Sequence, residues 1–175
     1  MSKKILAIIG LRSGSKGLKN KNIKKLAGKP LFVHILETAK KSKLINRIII
    51  STDSKKYKKI INKYGGEAPY LRPKKYAKDN SPEIDFIKDL LNSLKEKENY
   101  VPDIIVRLLA TCPLQKARDI DSAIKLVLKK NIQSSVIISK AKQHPAKALR
   151  ITGKNNQYVT TYFGNNPLKV GSKSN

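Results

Sequence analysis

KILAIIG, residues 4–10, decides the fold, because its apolar residues are consecutive and do not alternate with polar ones. Such a run predicts a strand that is buried on both of its faces. Two further runs, RIIIST at 47–52 and DIIVRLL at 103–109, have the same character. Amphipathic segments separate the three runs, and this alternation indicates an α/β domain with a mainly parallel sheet.

The segments between these strands predict helices. Their apolar spacing, with flanking proline and glycine residues, places the helices at about residues 30–43, 54–64, 82–97 and 118–130. Shorter strands are predicted over residues 68–71 and 134–139. No repeat or linker interrupts the pattern. One domain is therefore expected over residues 1–163, followed by a polar tail, 164–175, with no closing helix or strand.

The chain is strongly basic. Its 175 residues include 38 Lys and Arg against 12 Asp and Glu, which gives a formal net charge of +26. Six of the 38 are arginine, and the lysines occur in almost every segment, which is typical of a compositional bias and disfavours nucleic acid as the partner. The charge should still attract small anions such as nucleoside triphosphates.

Other bulk features exclude several classes of protein. The single cysteine, Cys112, excludes an internal disulfide and a multi-cysteine zinc site. No apolar run approaches the roughly 20 residues of a membrane-spanning helix, so no membrane partner is expected. The first residues also lack the pattern of a secretory signal, and a cytoplasmic location is expected.

A glycine-containing basic loop, LRSGSKGLKNKN at residues 11–22, follows the first strand. Ligands of open α/β sheets bind at this carboxyl edge. Two glycines let backbone N–H groups approach an anion, a serine adds a hydroxyl, and three basic side chains offset charge: Gly14, Gly17, Ser15, Arg12, Lys16 and Lys21. The spacing matches neither a Walker A loop nor the GxGxxG fingerprint, and a flexible basic turn is the alternative.

Several motifs occur in one order along the chain. They are Arg12-x-Gly-Ser-Lys-Gly with Lys21-Asn22, Ile50-Ser-Thr-Asp53, Arg72-Pro73 with Asp79 and Ser81, Thr111-Cys-Pro-Leu114, and His144-Pro145-x-Lys147. This ordered set resembles the acylneuraminate cytidylyltransferases, or CMP-sialic acid synthetases. The resemblance implies a three-layer, Rossmann-like nucleotidyltransferase fold of the glycosyltransferase-A kind. It also implies transfer of CMP from CTP to a nine-carbon keto sugar acid, with Mg²⁺ and release of pyrophosphate.

By the resemblance, three basic residues have catalytic roles at the triphosphate: Arg12, Lys16 and Lys21. The nucleotide-binding set adds Gly14, Ser15, Gly17, Asn22, Asp53, Arg72, Asp79 and Ser81. The sugar-binding residues implied are Thr111 and His144.

Structural alternatives remain for several of these residues. Asn22 suits a turn or helix N-cap, and Asp53 suits an N-cap of the next helix. The Arg72 guanidinium can anchor its loop. Asp79 and Ser81 can cap the helix at Pro82, and Ser81 is the better N-cap because Pro82 then falls at N1. A hydrogen-bonded loop histidine is the alternative for His144, and the other histidine, His34, is predicted to be structural.

The chain departs from the family pattern in two ways. Leu109 stands where the family has a substrate-associated glutamine and Gln115 where it has an arginine, which puts the sugar's identity in doubt. The family's metal-binding aspartates and its dimerisation element match nothing in these 175 residues. No metal ligand is therefore assigned. The resemblance implies a homodimer, but the family's dimerisation element has no counterpart in this sequence.

These departures leave alternatives for the function. One is a cytidylyltransferase for a related keto sugar of the pseudaminic, legionaminic or KDO-like kind. Another is a truncated nucleotide-binding remnant without catalysis. A basic nucleic-acid-binding protein is the least favoured, because the sequence contains no helix-turn-helix or RNP-like motif and few aromatic residues.

Overall fold

The computed structural model describes residues 3–14, 17–130, 132–140, 149–152, 158–161 and 167–168. The chain divides into two compact units, Met1–Ile137 and Ile138–Asn175. The strands of the larger unit are β1 (Ile5–Gly10), β2 (Lys25–Leu26), β3 (Lys29–Pro30), β4 (Arg47–Ser51) and β5 (Ile104–Leu108). Its helices are α1 (Leu31–Lys40), α2 (Lys55–Lys63), α3 (Glu83–Glu98) and α4 (Ala117–Lys130), and 3-10 turns lie at Lys21–Ile23 and Lys74–Tyr76.

A three-stranded parallel sheet forms the centre of the larger unit, in the order β4-β1-β5. Leu6 is level with Arg47 on one side, and Ile5 is level with Ile104 on the other. The predicted strand at 68–71 reduces to two isolated parallel bridges, Ile49 with Glu67 and Thr52 with Leu71. The three long apolar runs therefore form neighbouring strands, and the predicted parallel sheet is confirmed.

Both faces of β1 are buried, as its unbroken apolar run predicts. Ile5, Ala7 and Ile9 pack against residues of α1, α2 and α4 on one face. Leu6 and Ile8 pack against residues of α3 on the other. The sheet thus lies between two helical layers, which confirms the three-layer α/β fold.

Two predictions about local structure are wrong. Residues 134–139 form no strand, because Val136 and Ile138 remain exposed and this segment pairs with no described strand. Pro82 occupies the N-cap position of helix α3, since its extended ψ of 137° keeps it outside the helix, and it makes no side-chain capping hydrogen bond. Ser81 is therefore not the N-cap, and its hydroxyl donates to the carbonyl of Lys75 at 2.8 Å.

The smaller unit contains an antiparallel sheet of β6 (Leu149–Thr152), β7 (Tyr158–Thr161) and β8 (Pro167–Leu168). Val159 of β7 is level with Leu168 of β8. The expectation that residues 164–175 contain no strand is therefore wrong. A two-residue strand is defined by backbone pairing and leaves too short a side-chain pattern to recognise. The domain boundary after residue 163 stays a prediction.

Across the described residues, no helix combines the length and the apolar character that crossing a membrane requires.

Candidate functional site

A cleft of about 530 Å³ opens at the carboxyl edge of the parallel sheet. Its walls come from the ends of β1 and β5, the loop after β1, the segment around the second 3-10 turn and the start of α3. The lining residues are Gly10, Arg12, Gly17, Leu18, Lys21, Asn22, Arg72, Tyr76, Lys78, Asp79, Ser81, Glu83, Phe86, Leu109, Ala110 and Thr111. The cleft therefore lies where the sequence predicts a ligand site.

The loop after β1 is fixed at its start by Asp53. One Asp53 carboxylate oxygen accepts the backbone N–H of Ser13 at 2.8 Å, and the other accepts its hydroxyl at 2.7 Å. Ser54, not Asp53, caps α2, since its hydroxyl oxygen accepts the N–H of Tyr57. The N-cap alternative for Asp53 is therefore wrong, and its carboxylate binds the loop.

The same loop is fixed again where it ends. Asn20 has a left-handed backbone, with φ of 58°, and its side-chain oxygen accepts the hydroxyl of Tyr57 at 3.2 Å. Asn22 is buried, and its amide donates to the carbonyl of Arg12 at 3.3 Å. The amide of Asn22 thus ties the end of the loop to its beginning beside the cleft, and the residue is not the cap of the 3-10 turn.

Arg72 forms the floor of the cleft and is only 8% exposed. Its guanidinium lies 3.7 Å from the centre of the Phe86 ring. Nε donates to the hydroxyl of Ser51 at 3.1 Å, and Nη2 donates to the Ser51 carbonyl at 3.0 Å. Burial lowers the pKa of Arg72 to about 10, an effect that the charges of Asp53 and Glu83 partly offset. Arg72 is thus a buried cation with no hydrogen bond to a carboxylate of the described residues.

Gly10 makes room for this arrangement at the end of β1. A Cβ atom at residue 10 would lie 3.1 Å from Cζ of Phe86 and 3.3 Å from Nη2 of Arg72. Both distances are closer than most real Cβ contacts, so a larger residue would displace the ring or the guanidinium. The missing side chain therefore allows the stacked pair to reach the sheet edge.

Ion pairs line the mouth of the cleft. Arg12 Nη1 lies 2.6 Å from Asp79 Oδ1, with about a third of each side chain exposed. Arg107, at the end of β5, pairs with Glu83 at the start of α3. Asp79 therefore contacts a residue of the phosphate loop and does not cap α3.

The charges of the cleft favour an anionic ligand. Four cationic side chains line it, those of Arg12, Lys21, Arg72 and Lys78, against the carboxylates of Asp79 and Glu83. Preorganised cations at a strand edge beside a glycine-containing loop suit phosphate groups. Within the described ranges, no group of three or more His, Cys, Asp or Glu side chains could hold a metal ion.

Most of the predicted site residues come together in the cleft: Arg12, Gly17, Lys21, Asn22, Arg72, Asp79, Ser81 and Thr111. Gly14 and Asp53 do not line it. Ser15, Lys16 and His144 lie outside the described residues. His34, predicted to be structural, places its ring Nε2 2.8 Å from the carbonyl of Leu26.

Seven further lining residues were not predicted from the sequence: Gly10, Leu18, Tyr76, Lys78, Glu83, Phe86 and Ala110. Leu109, noted in the sequence for its departure from the family pattern, also lines the cleft. Gly10 and Ala110 had a usable signal, because each stands at the carboxyl end of a predicted strand. Phe86 had none, since only the packing of α3 brings its ring under Arg72.

A second cavity of about 630 Å³ runs along β5 and α4. Apolar side chains such as those of Ile105, Ile124 and Val127 form much of its lining. It contains one basic side chain, that of Arg107, among the described residues, so the first cleft is the better site for a polyanion.

Comparisons with known proteins agree on one family. The sequence profile described as Cytidylyltransferase matches residues 6–172. An N-acylneuraminate cytidylyltransferase of Escherichia coli is 38% identical over 126 residues, covering 72% of this chain and 29% of the relative. A CMP-N,N'-diacetyllegionaminic acid synthase of Legionella pneumophila is 37% identical over 123 residues, covering 70% and 53%.

A solved structure shares the fold. CMP:2-keto-3-deoxy-manno-octonic acid synthetase complexed with CTP superposes with a TM-score of 0.63 at 20% identity, covering 73% of this chain and 48% of that one. At this identity the likeness concerns the fold alone. The chain spans 29% of the length of the Escherichia coli relative and 53% of that of the Legionella relative.

Proposed function

Because the chain belongs to the cytidylyltransferase family, whose members are nucleotidyltransferases, we propose that its cleft binds CTP and that the whole protein activates a keto sugar acid. The reaction would join CMP to the sugar's anomeric hydroxyl and release pyrophosphate. The observation that carries the proposal is Arg72, a cation 8% exposed at the cleft floor without a hydrogen-bonded carboxylate among the described residues. Burying an unpaired charge is costly, so a site that receives an anion is its best explanation.

The side chains of the cleft and its loop have different proposed roles, according to their chemistry. Arg12 and Lys21, on the loop beside the cleft, would neutralise the triphosphate, and Lys16 of the same loop is proposed to join them. Arg72 and Asn22 would contact the nucleotide. Ser81 and Asp79 also line the cleft, and Asp79 is paired with Arg12 of the loop. Phosphoryl transfer of this kind needs charge neutralisation and positioning more than covalent help. The cations of the cleft would supply part of the charge neutralisation.

The sugar acid would lie on the β5 side of the cleft, where Thr111 contributes to the wall. His144 remains a candidate for this part of the site. A sialic acid is the first candidate substrate, given the Escherichia coli relative. A legionaminic acid is the second, because the Legionella relative is almost equally similar. Leu109 lines the cleft in place of the family's glutamine, and an apolar side chain there would alter which sugar fits.

Mg²⁺ is expected from the family and would balance charge between the α-phosphate and the departing pyrophosphate. The described residues do not fit a metal cage, because both carboxylates of the cleft are paired with arginines. We therefore expect these 175 residues to bind CTP and to release pyrophosphate slowly. A coupled pyrophosphate assay with CTP, Mg²⁺ and N-acetylneuraminate measures this, and robust turnover would overturn it.

Calorimetric titration with CTP, UTP, ATP and GTP tests the nucleotide site. CTP should bind most tightly if the cleft recognises cytosine. Equal affinities for the four, each falling steeply with added salt, would instead describe a general polyanion site. The cytoplasmic location and the absence of a nucleic-acid partner stay predictions.

A further inference from the structure

The loop of residues 13–20 touches one structural element at both of its ends. Ser13 at the start is bound by Asp53, and Asn20 at the end is bound by Tyr57. Asp53 and Tyr57 belong to the junction between β4 and α2, and neither lines the cleft. The two contacts thus hold the two ends of the loop through residues that do not line the cleft.

The Asp53 contact fixes the direction in which the chain leaves Arg12. Both carboxylate oxygens are used by the next residue, one by its backbone N–H and one by its hydroxyl. Hydrogen bonds to an ionised carboxylate are among the stronger ones in proteins. Rotation of the Ser13 peptide would break both bonds at once. The backbone that carries the Arg12 side chain is therefore restrained.

The Tyr57 contact fixes the other end from a rigid base. The Tyr57 side chain is 1% exposed and belongs to the main core cluster, so its hydroxyl position is set by packing. Burial and the charge of Asp53 raise the pKa of Tyr57, which keeps the hydroxyl protonated as a donor. Its acceptor belongs to Asn20, whose left-handed backbone with φ of 58° is uncommon outside glycine. Lys21 follows directly.

We propose that Asp53 and Tyr57 are positioning residues that clamp the loop so that Arg12 and Lys21 both face the cleft. This inference rests on the proposed function, because Arg12 and Lys21 are the residues assigned to the triphosphate. A clamp of this kind lowers the entropy that the loop loses when it binds a ligand. Asp53 therefore acts through Ser13, and it makes no contact with the nucleotide itself.

Three substitutions remove single polar groups from the clamp: Tyr57→Phe, Ser13→Ala and Asp53→Ala. Each should raise the dissociation constant for CTP by about 2- to 10-fold, the worth of one or two hydrogen bonds, without a matching loss of thermal stability. Asp53→Asn keeps an acceptor for the Ser13 N–H and should recover part of the affinity that Asp53→Ala loses. Tyr70→Phe is the matched control, since its hydroxyl bonds to Glu98 and does not contact the loop.

Amide hydrogen exchange separates the clamp from the proposed function. With no nucleotide present, the Ser13 amide, which donates to Asp53, should exchange at least several-fold faster in Asp53→Ala than in the wild type or Tyr70→Phe. The Lys21 amide, which follows Asn20 and donates to the carbonyl of Leu18, should do the same in Tyr57→Phe. Unchanged exchange would overturn the clamp even if CTP binds. Faster exchange in the two variants, together with a wild-type protein that does not bind CTP, would support the clamp and overturn the nucleotide assignment.

Discussion

Two arginines lie at opposite ends of strand β4, and they differ in their hydrogen-bond partners. Arg47 begins β4, and its guanidinium bonds to Glu67 and lies 2.7 Å from Glu98. The hydrogen bonding that Arg47 donates to the carboxylate of Glu67 is the main reason that the pKa of Arg47 is raised. Arg72 lies against Ser51, where β4 ends, and burial lowers its pKa to about 10.

The two arginines differ in whether the fold supplies a carboxylate partner, and this difference supports the binding role proposed for Arg72. At the amino end of β4, Arg47 is paired with the carboxylates of Glu67 and Glu98. At the carboxyl end, the partners of the more deeply buried Arg72 in the described part of the chain are neutral hydrogen-bond acceptors and an aromatic ring. Folding alone would favour an apolar residue at that position. A charge at that position with no hydrogen-bonded carboxylate among the described residues is the basis for the proposed binding role.

The substitution Arg72→Met tests most directly whether Arg72 serves binding and not stability. It should weaken CTP binding by about 10- to 100-fold, since it removes charged hydrogen bonds worth about 1.5–3 kcal/mol. Thermal stability should hold or rise, because a desolvated charge is removed. Calorimetry and thermal denaturation measure the two effects. Unchanged binding with lost stability would make Arg72 a purely structural residue.

Arg12→Ala should produce the next largest change, a loss of about 1–2 kcal/mol in CTP binding, because Arg12 is more exposed than Arg72. Lys59→Ala on the exposed face of α2 is the control and should change almost nothing. Lys58 is unsuitable, since its ammonium donates to the carbonyl of Pro69 at 2.8 Å. Equal losses from Arg12→Ala and Lys59→Ala, measured by calorimetry, would refute the loop assignment.

Arg47→Met should show the opposite behaviour to Arg72→Met. The free energy of unfolding should fall by about 1 kcal/mol while CTP affinity stays the same. Hydrogen bonding from Arg47 lowers the pKa of Glu98, so this stability is present above the ordinary value of 4.5 and is lost as the pH falls. Urea denaturation should therefore show the difference between the two proteins at neutral pH and little of it at about pH 3. A loss of CTP binding would mean that the two ends of the sheet are coupled.

Asp79→Asn should have the smallest effect, a gain of about 2- to 5-fold in CTP affinity. The substitution keeps the size of the side chain but removes a negative charge beside Arg12, and an ion pair this exposed is worth about 1 kcal/mol or less. Competition titration against the wild type measures the gain. Weaker binding would instead give Asp79 a direct role in holding the nucleotide.

Some of these features could be read from the sequence and others could not. Unbroken apolar runs identified β1, β4 and β5, because burial on both faces leaves a pattern that needs no knowledge of neighbours. The same rule failed at residues 134–139, where an apolar run stays exposed. Burial depends on a partner element, which a local pattern does not specify.

The site shows the same limit. A glycine-containing basic loop after a strand is a local signal, and it located the cleft correctly. The pattern also placed Asp53 at the ligand edge, but it did not give the direction of its side chain, which turns to Ser13. The stacking of Arg72 on Phe86 joins residues that only the tertiary fold brings together.

Gly10 has a consequence for how this family of sequences can vary. A methyl group at this position would meet the two side chains that form the cleft floor, at 3.1 and 3.3 Å. A saturation library at codon 10, selected for nucleotide binding, should return glycine, even though Ala7, three residues earlier in the same strand, already carries a buried side chain. Mutational tolerance along β1 would then be lowest at Gly10, where the strand leaves the core and lines the cleft.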